Sequence, residues 1–205
     1  MKKFELTNEF ITNMFGTKLF RIRALVEFGD VEAGELGGYV EKESNLGHDD
    51  NAWVYDNAWV YGDAQVSGDA LVYDNARVYG DARVYGDAQV SGDALVYDNA
   101  RVYDNAWVYG DAQVCGDARV CGNGDYAYAH GFGSVNRTTT FFRLKDGGVG
   151  VRCGCFYGTL AQFRDKIRET HGESAIAEEY LMLADLMELR FEEDENEVGN
   201  RKYVE

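Results

Sequence analysis

Three histidines and four cysteines supply the side chains here that ordinarily serve as near-neutral bases or soft nucleophiles, and their local settings differ. His48 lies in Gly47-His48-Asp49-Asp50, His130 precedes Gly131-Phe132-Gly133-Ser134 close to Asn136 and Arg137, and His171 falls at a helix end. A general base must reach a substrate proton, and a glycine-rich segment beside a histidine leaves room for one, so His130 is the catalytic candidate. A histidine at a helix C-terminus meets the dipole favourably and needs no such role, which accounts for His171. Cys115, Cys121, Cys153 and Cys155 form neither a disulfide framework nor a paired C-x-x-C zinc signature, and read as reduced thiols. Neither a metal nor a cofactor is expected.

Charge is the second chemical resource. The formal net charge is -16, and residues 51–123 carry eleven Asp against four Arg. Residues 124–171 form the one basic segment, with Arg137, Arg143 and Arg152 placed to accept an anionic ligand or an acidic surface. So acidic a chain repels nucleic acid and anionic membranes and is drawn to basic surfaces, including those of nucleic-acid-binding proteins. Aspartates could also suggest calcium, but six to eight convergent oxygens are needed, and a corner Asp ordinarily bonds its own turn. The first residues, MKKFELTNEF, lack the apolar run of a signal peptide, and no stretch is long and apolar enough to span a bilayer, so a cytoplasmic protein is expected.

The elements that position these groups follow from one period. From Ala52 to Val120 the chain writes Ala-x-Val twelve times, each Val six residues after the last. Six residues fit neither a helix nor a simple alternating strand, but they fit one flat side and one corner of a three-sided coil. Alternation buries Ala and Val and exposes the residues between and after them. Gly-Asp or Asp-Asn pairs make the corners, where positive φ is needed. Three hexads give an 18-residue coil, hence four regular coils rising about 4.8 Å each.

The exposed ladders are then fixed. One side stacks Trp53, Leu71, Gln89 and Trp107 beside Tyr55, Tyr73, Ser91 and Tyr109. A second stacks Trp59, Arg77, Leu95 and Gln113 beside Tyr61, Tyr79, Tyr97 and Cys115. The third, carrying Gln65, Arg83, Arg101 and Arg119, is the basic one. Trp53, Trp107, Tyr109, Arg83, Arg101 and Arg119 are therefore candidate partner contacts, together with Asn136, Arg137, Arg143 and Arg152. Residues 65–79 recur identically at 89–103, a shift of four hexads that moves each unit to a neighbouring side. The sides are exchangeable, and specific chemistry belongs at the ends.

Four segments are expected: a cap strand and atypical first coil over 1–50, the array over 51–123, a ββαα module over 124–191, and an acidic, solvated tail over 192–205. In the first, Phe20, Ile22, Ala24, Val26 and Phe28 alternate inward, and the eight-residue step from Leu46 to Val54 implies a two-residue bulge near His48 and Asp49. In the module, a Lys-Asp-Gly-Gly turn joins two strands. Thr159 caps a helix ended by Gly172, and Ser174 starts a second with Ile176, Tyr180, Leu183, Ala184 and Met187 inward.

The hexad resembles the repeat of hexapeptide β-helices, and that resemblance implies a left-handed coil. Gly37-Gly38-Tyr39-Val40-Glu41, Asn45-Leu46 and Asn51-Ala52-Trp53-Val54 resemble the entry segment of YdcK-like β-helix proteins of bacteria and phages. Thr138-Thr139-Thr140-Phe141-Phe142 and Gly154-Cys155-Phe156-x-Gly158-Thr159-Leu160 look like motifs ending many phage β-helix proteins. The fold class is thus mainly β, a three-sided parallel β-helix followed by a small ββαα module.

Two functions are then expected. One, argued from the acidity and from the exchangeable sides of the array, is a non-enzymatic accessory protein in which a rigid β-helical spacer carries a C-terminal ββαα head that binds a partner or self-associates. The partner is a basic nucleic-acid-binding host protein and the chain a homo-oligomer (dimer or trimer); the resemblance implies a phage or prophage origin and so the host cytoplasm. In its sharpest form it is an acidic, DNA-mimicking inhibitor of a defence nuclease. The alternative is an acyltransferase-like enzyme using His130 with coenzyme A or an acyl carrier. No extended loop interrupts the hexads, which favours the first.

Overall fold

The computed structural model describes residues 2–133 and 135–198, and the chain divides between Asn123 and Gly124 into two compact units. The first opens with three strands, β1 (Phe4–Thr12), β2 (Lys18–Ala24) and β3 (Leu36–Val40). Twelve two-residue strands follow, from β4 (Trp53–Val54) to β15 (Arg119–Val120), each starting six residues after the last. They stack as three parallel sheets, β4-β7-β10-β13, β6-β9-β12-β15 and β5-β8-β11-β14. Mainly β structure in a parallel solenoid is what the period predicts, and the register agrees residue by residue: Gln89 pairs with Leu71 and Trp107, Leu95 with Arg77 and Gln113, Arg101 with Arg83 and Arg119.

The interior is made by two residue types. Every Ala and Val of the twelve repeats is at most 1% exposed, so each coil seals its own cross-section with a small and a branched side chain. Backbone N–H groups of one coil donate to carbonyls of the next, as Arg83 N does to Ala100 O (2.9 Å) and Tyr85 N to Val102 O (3.0 Å). This leaves the carbonyls at the N-terminal rim to be satisfied by something else.

Three devices do so. Strand β3 continues one sheet, its Tyr39 and Glu41 N–H groups donating to Ala58 O and Val60 O. The Asn45 side-chain amide donates to Ala64 O (2.8 Å) and Gly62 O (3.0 Å). Lys3 Nζ donates to Ala52 O (2.9 Å) and Asp50 O (3.2 Å). The expected atypical first coil is present, with Val40 paired to Val60 and Leu46 bridged to Val66, offsets of twenty residues where later coils use eighteen. Its bulge is pinned because His48 accepts from the Lys3 backbone (3.2 Å) and stacks on Phe4 at 4.6 Å.

The cap itself differs from the expectation. It is an antiparallel three-stranded extension, and β1 was not foreseen. Leu19, Ile22 and Ala24 are buried, while Phe20 is only half-buried and the strand stops before Val26 and Phe28. Pairing between β2 and β3 slips between Arg21 and Arg23, which breaks strict alternation.

The second unit is an antiparallel sheet in the order β16 (Tyr126–Phe132), β17 (Arg137–Arg143), β18 (Val149–Cys153), β19 (Phe156–Thr159), followed by α1 (Leu160–His171) and α2 (Ala175–Val198). It holds four strands where two were expected. Tyr126–Phe132 pairs as a hairpin partner of β17, and Gly154, at φ 57°, folds the expected second strand into two. Thr159 caps α1 in a reciprocal box with Gln162, and Gly172 ends it at φ 58°. Phe141 and Val151 on one sheet face pack against Phe163, Ile167, Tyr180, Ala184 and Phe191. Helix α2 carries the backbone through Val198, past the expected tail boundary at 192; residues 199–205 lie outside the described residues, as does Ser134.

Candidate functional site

The solenoid places one Asp or Asn at every corner of every coil. Asp56, Asp74, Asp93 and Asp111 lie along one corner, Asp63, Asp81, Asp98 and Asp117 along the next, and Asp69, Asp87 and Asp104 along the third. Each sits at the first corner position in Asp-Asn units and at the second in Gly-Asp units, so that Asp74 is in register with Gly92 and not with Asp93. Three acidic corners therefore run along the array with about one carboxylate per coil. At the Asp-Asn corners the backbone favours this chemistry, since Asp56, Asp74, Asp98 and Asp104 adopt φ between 50° and 59°, which Asp tolerates better than most residues; at the Gly-Asp corners the glycine takes the positive φ. Some carboxylates brace the rod: Asp74 accepts from Gly92 N (2.9 Å), Asp69 from the Asn51 amide (2.6 Å), and Asp63 pairs with Lys42 (2.6 Å). That last pairing draws the Asp63 pKa below, and the Lys42 pKa above, the usual range.

Arg83, Arg101 and Arg119 stack in register on the side between two of these corners. Arg119 is held by carbonyls of Asn99 (3.1 Å) and Ala118 (2.7 Å), and burial together with the Arg101 charge lowers its pKa. Beside them Tyr85 and Tyr103 stack at 5.1 Å, while Tyr61, Tyr79 and Tyr97 form a second column at 5.0 Å per step. Burial raises the Tyr61 pKa, which keeps that ring neutral.

The aromatic candidates separate. Trp107 and Tyr109 are 44% and 45% exposed and touch at 5.1 Å. Trp53 is not a surface residue: it is 0% exposed beneath Phe4 and Phe28, because the unforeseen N-terminal hairpin covers the ladder's first position. Trp53 is a core residue, and its candidacy as a partner contact falls.

The three arginines of the second unit are not brought together. Arg143 is engaged by Asp125 (3.5 Å), the Phe191 carbonyl (3.0 Å) and the Phe191 ring. Arg152 alternates to the sheet face opposite Val151 and Cys153. Asn136 makes the turn before β17 at φ 50°. Arg137 alone lines a cavity of about 300 Å³, whose walls include Cys153, Cys155, Phe156, Phe163, Lys166, Ile167, His171 and Tyr180. His130 lies elsewhere: its Nδ1 is 2.8 Å from Thr138 Oγ1, and Thr138 alternates to the face opposite Arg137 and Phe141.

Sequence reasoning missed Lys166, Cys153, Cys155 and Tyr180 as cavity residues. The available signal was Tyr180, a hydroxyl on the otherwise apolar face of α2. Burial, with the neighbouring Cys153 thiol, pushes its pKa up to about 12. The seam of α2 formed by Met182, Leu186 and Leu189 is 71%, 55% and 56% exposed, an apolar stripe at helical spacing.

Two-residue strands at a six-residue step, sealed by Ala and Val and turned at Gly-Asp or Asp-Asn corners, define a three-sided parallel β-solenoid. Within it, residues 64–78, 76–92, 88–100 and 96–110 match the family model of the YdcK beta solenoid repeat. No curated protein matches the chain. No described helix is long and apolar enough to cross a membrane.

Proposed function

We propose that this is a non-enzymatic accessory protein that binds a basic, nucleic-acid-binding protein, and that its solenoid is the docking element. The carrying observation is the set of three acidic corners on a rod whose Ala and Val core fixes their spacing. Eleven Asp over four coils approach the linear density of phosphates in duplex DNA, about one charge per 1.7 Å, and the four Arg of the array lower its net charge below that density. A basic groove that accepts a phosphate backbone meets here an acidic and already rigid surface, so little ordering entropy opposes docking. In its sharpest form the target is a defence nuclease and the protein a phage or prophage product acting in the host cytoplasm. The net charge of -16 opposes direct binding of nucleic acid.

The corner carrying Asp63, Asp81, Asp98 and Asp117 provides the test. Asn is nearly isosteric with Asp at each position, and at Asp98, where φ is 58°, it also tolerates the left-handed conformation. The wild type is expected to inhibit duplex cleavage by a restriction nuclease, and the fourfold Asp→Asn variant to need at least about tenfold more protein for equal inhibition. Equal potency of the two proteins contradicts the docking surface.

Self-association belongs to the same proposal through the apolar seam of Met182, Leu186 and Leu189. Sedimentation equilibrium is expected to give a multiple of 23.0 kDa for the wild type and 23.0 kDa for Leu186→Glu. A monomeric wild type removes the oligomer from this account.

A further inference from the structure

We infer that the cavity of the second unit is a binding site for an apolar carboxylate: a carboxyl group attached to a compact aromatic or branched aliphatic body. This goes beyond the acidic solenoid and does not depend on it. Phe156, Phe163 and Ile167 supply an apolar floor, with Phe163 and Ile167 each 3% exposed. Around it stand three cationic or potentially cationic groups, Arg137, Lys166 and His171. Lys166 is satisfied by Glu169 at 2.8 Å, and His171 stacks on Tyr180 at 6.0 Å. Among the described residues, no carboxylate pairs with Arg137.

Two glycines make the arrangement possible. A Cβ at Gly154 would collide with the Arg137 guanidinium, and a Cβ at Gly133 would collide with the Tyr180 hydroxyl. Both groups thus reach the cavity across backbone that has no side chain. Tyr180 stays a neutral hydroxyl, touching Cys153 Sγ (3.9 Å) and the Phe132 carbonyl (3.5 Å). Glu179, bonded to Gly133 N at 3.2 Å, adds a negative charge near the Tyr180 hydroxyl. A planar guanidinium binds a carboxylate in bidentate fashion, and the floor then holds the attached apolar body. The volume sits at the small end of ligand cavities, about 300 to 1,000 Å³, which suits a single ring or one side chain.

The same chemistry comes from a free acid or from the C-terminus of a peptide ending in an apolar residue. Calorimetry on the full chain separates them, using 4-phenylbutyrate, an acetylated pentapeptide ending in Phe with a free carboxylate, and its C-terminal amide. Saturable binding of at least one carboxylate is expected, weakened at least about tenfold by Arg137→Gln and unchanged by Arg152→Gln on the opposite face. If only the free acid binds, the ligand is a metabolite; if the peptide binds tighter, it is a chain terminus. Absence of saturable binding up to about 5 mM, an amide as tight as the acid, or binding indifferent to Arg137→Gln overturns the inference.

Discussion

Lys3 Nζ stands 2.9 Å from the carbonyl oxygen of Ala52, occupying the place that a backbone N–H holds in every later coil. The amine is 3% exposed and lies 4.5 Å over the Phe28 ring, and burial lowers its pKa to about 8. Below pH 8 it is charged in folded and unfolded chains alike, so the folded state carries the whole cost of its desolvation. Between pH 8 and 10.5 the unfolded chain still holds a proton that the folded chain has released, so stability rises with pH across that window. The difference in unfolding free energy between wild type and Lys3→Met, from urea titrations, is expected to grow in favour of wild type from pH 8 to 10.5. A constant difference contradicts the buried amine.

Trp53 and Trp107 occupy the same slot of the hexad at opposite ends of one ladder, yet one is buried and the other is 44% exposed. Trp53→Ala is expected to cost about 3–5 kcal/mol of stability and to remove the blue-shifted part of the fluorescence emission. Trp107→Ala is expected to cost about 1 kcal/mol or less and to remove the red-shifted part. Urea melts and emission spectra of the two variants check both.

At the corners, Gly86 has φ 70°, and a Cβ there would lie 2.9 Å from Asp104 N. Asp occupies the equivalent position in other coils, so the conformation suits short polar side chains and resists branched ones. Gly86→Asn is expected to lower stability by about 1 kcal/mol, and Gly86→Val by about 3 kcal/mol or more. Thermal melts that rank the two variants in reverse order contradict the corner geometry.

The ladder pairings were legible because twelve hexads with one spacing leave a single way to stack, as the Arg83, Arg101 and Arg119 column shows. Trp53 was misread for the same reason: its slot is exposed by the repeat and buried by β1, whose Phe4 reports no periodicity of its own. The cap residues Lys3 and Asn45 act through long-range bonds, across 49 and 19 residues for Ala52 O and Ala64 O, and local pattern does not encode those. In the second unit, charge placed Arg137, Arg143 and Arg152 together on paper. Strand alternation and the Asp125 contact separate them in space. The cavity stayed hidden because its lining runs from Val135 to Tyr180 and converges only when α1 and α2 close on the sheet.

The most direct measurement of the docking account is competition at a basic groove. A restriction nuclease is loaded with fluorescent duplex DNA, and the protein is titrated in at several salt concentrations. The account predicts full displacement of DNA, with an apparent affinity that falls steeply as salt rises, because the corner carboxylates replace phosphates in the same groove. Formation of a ternary complex with DNA still bound, or binding insensitive to salt, contradicts it.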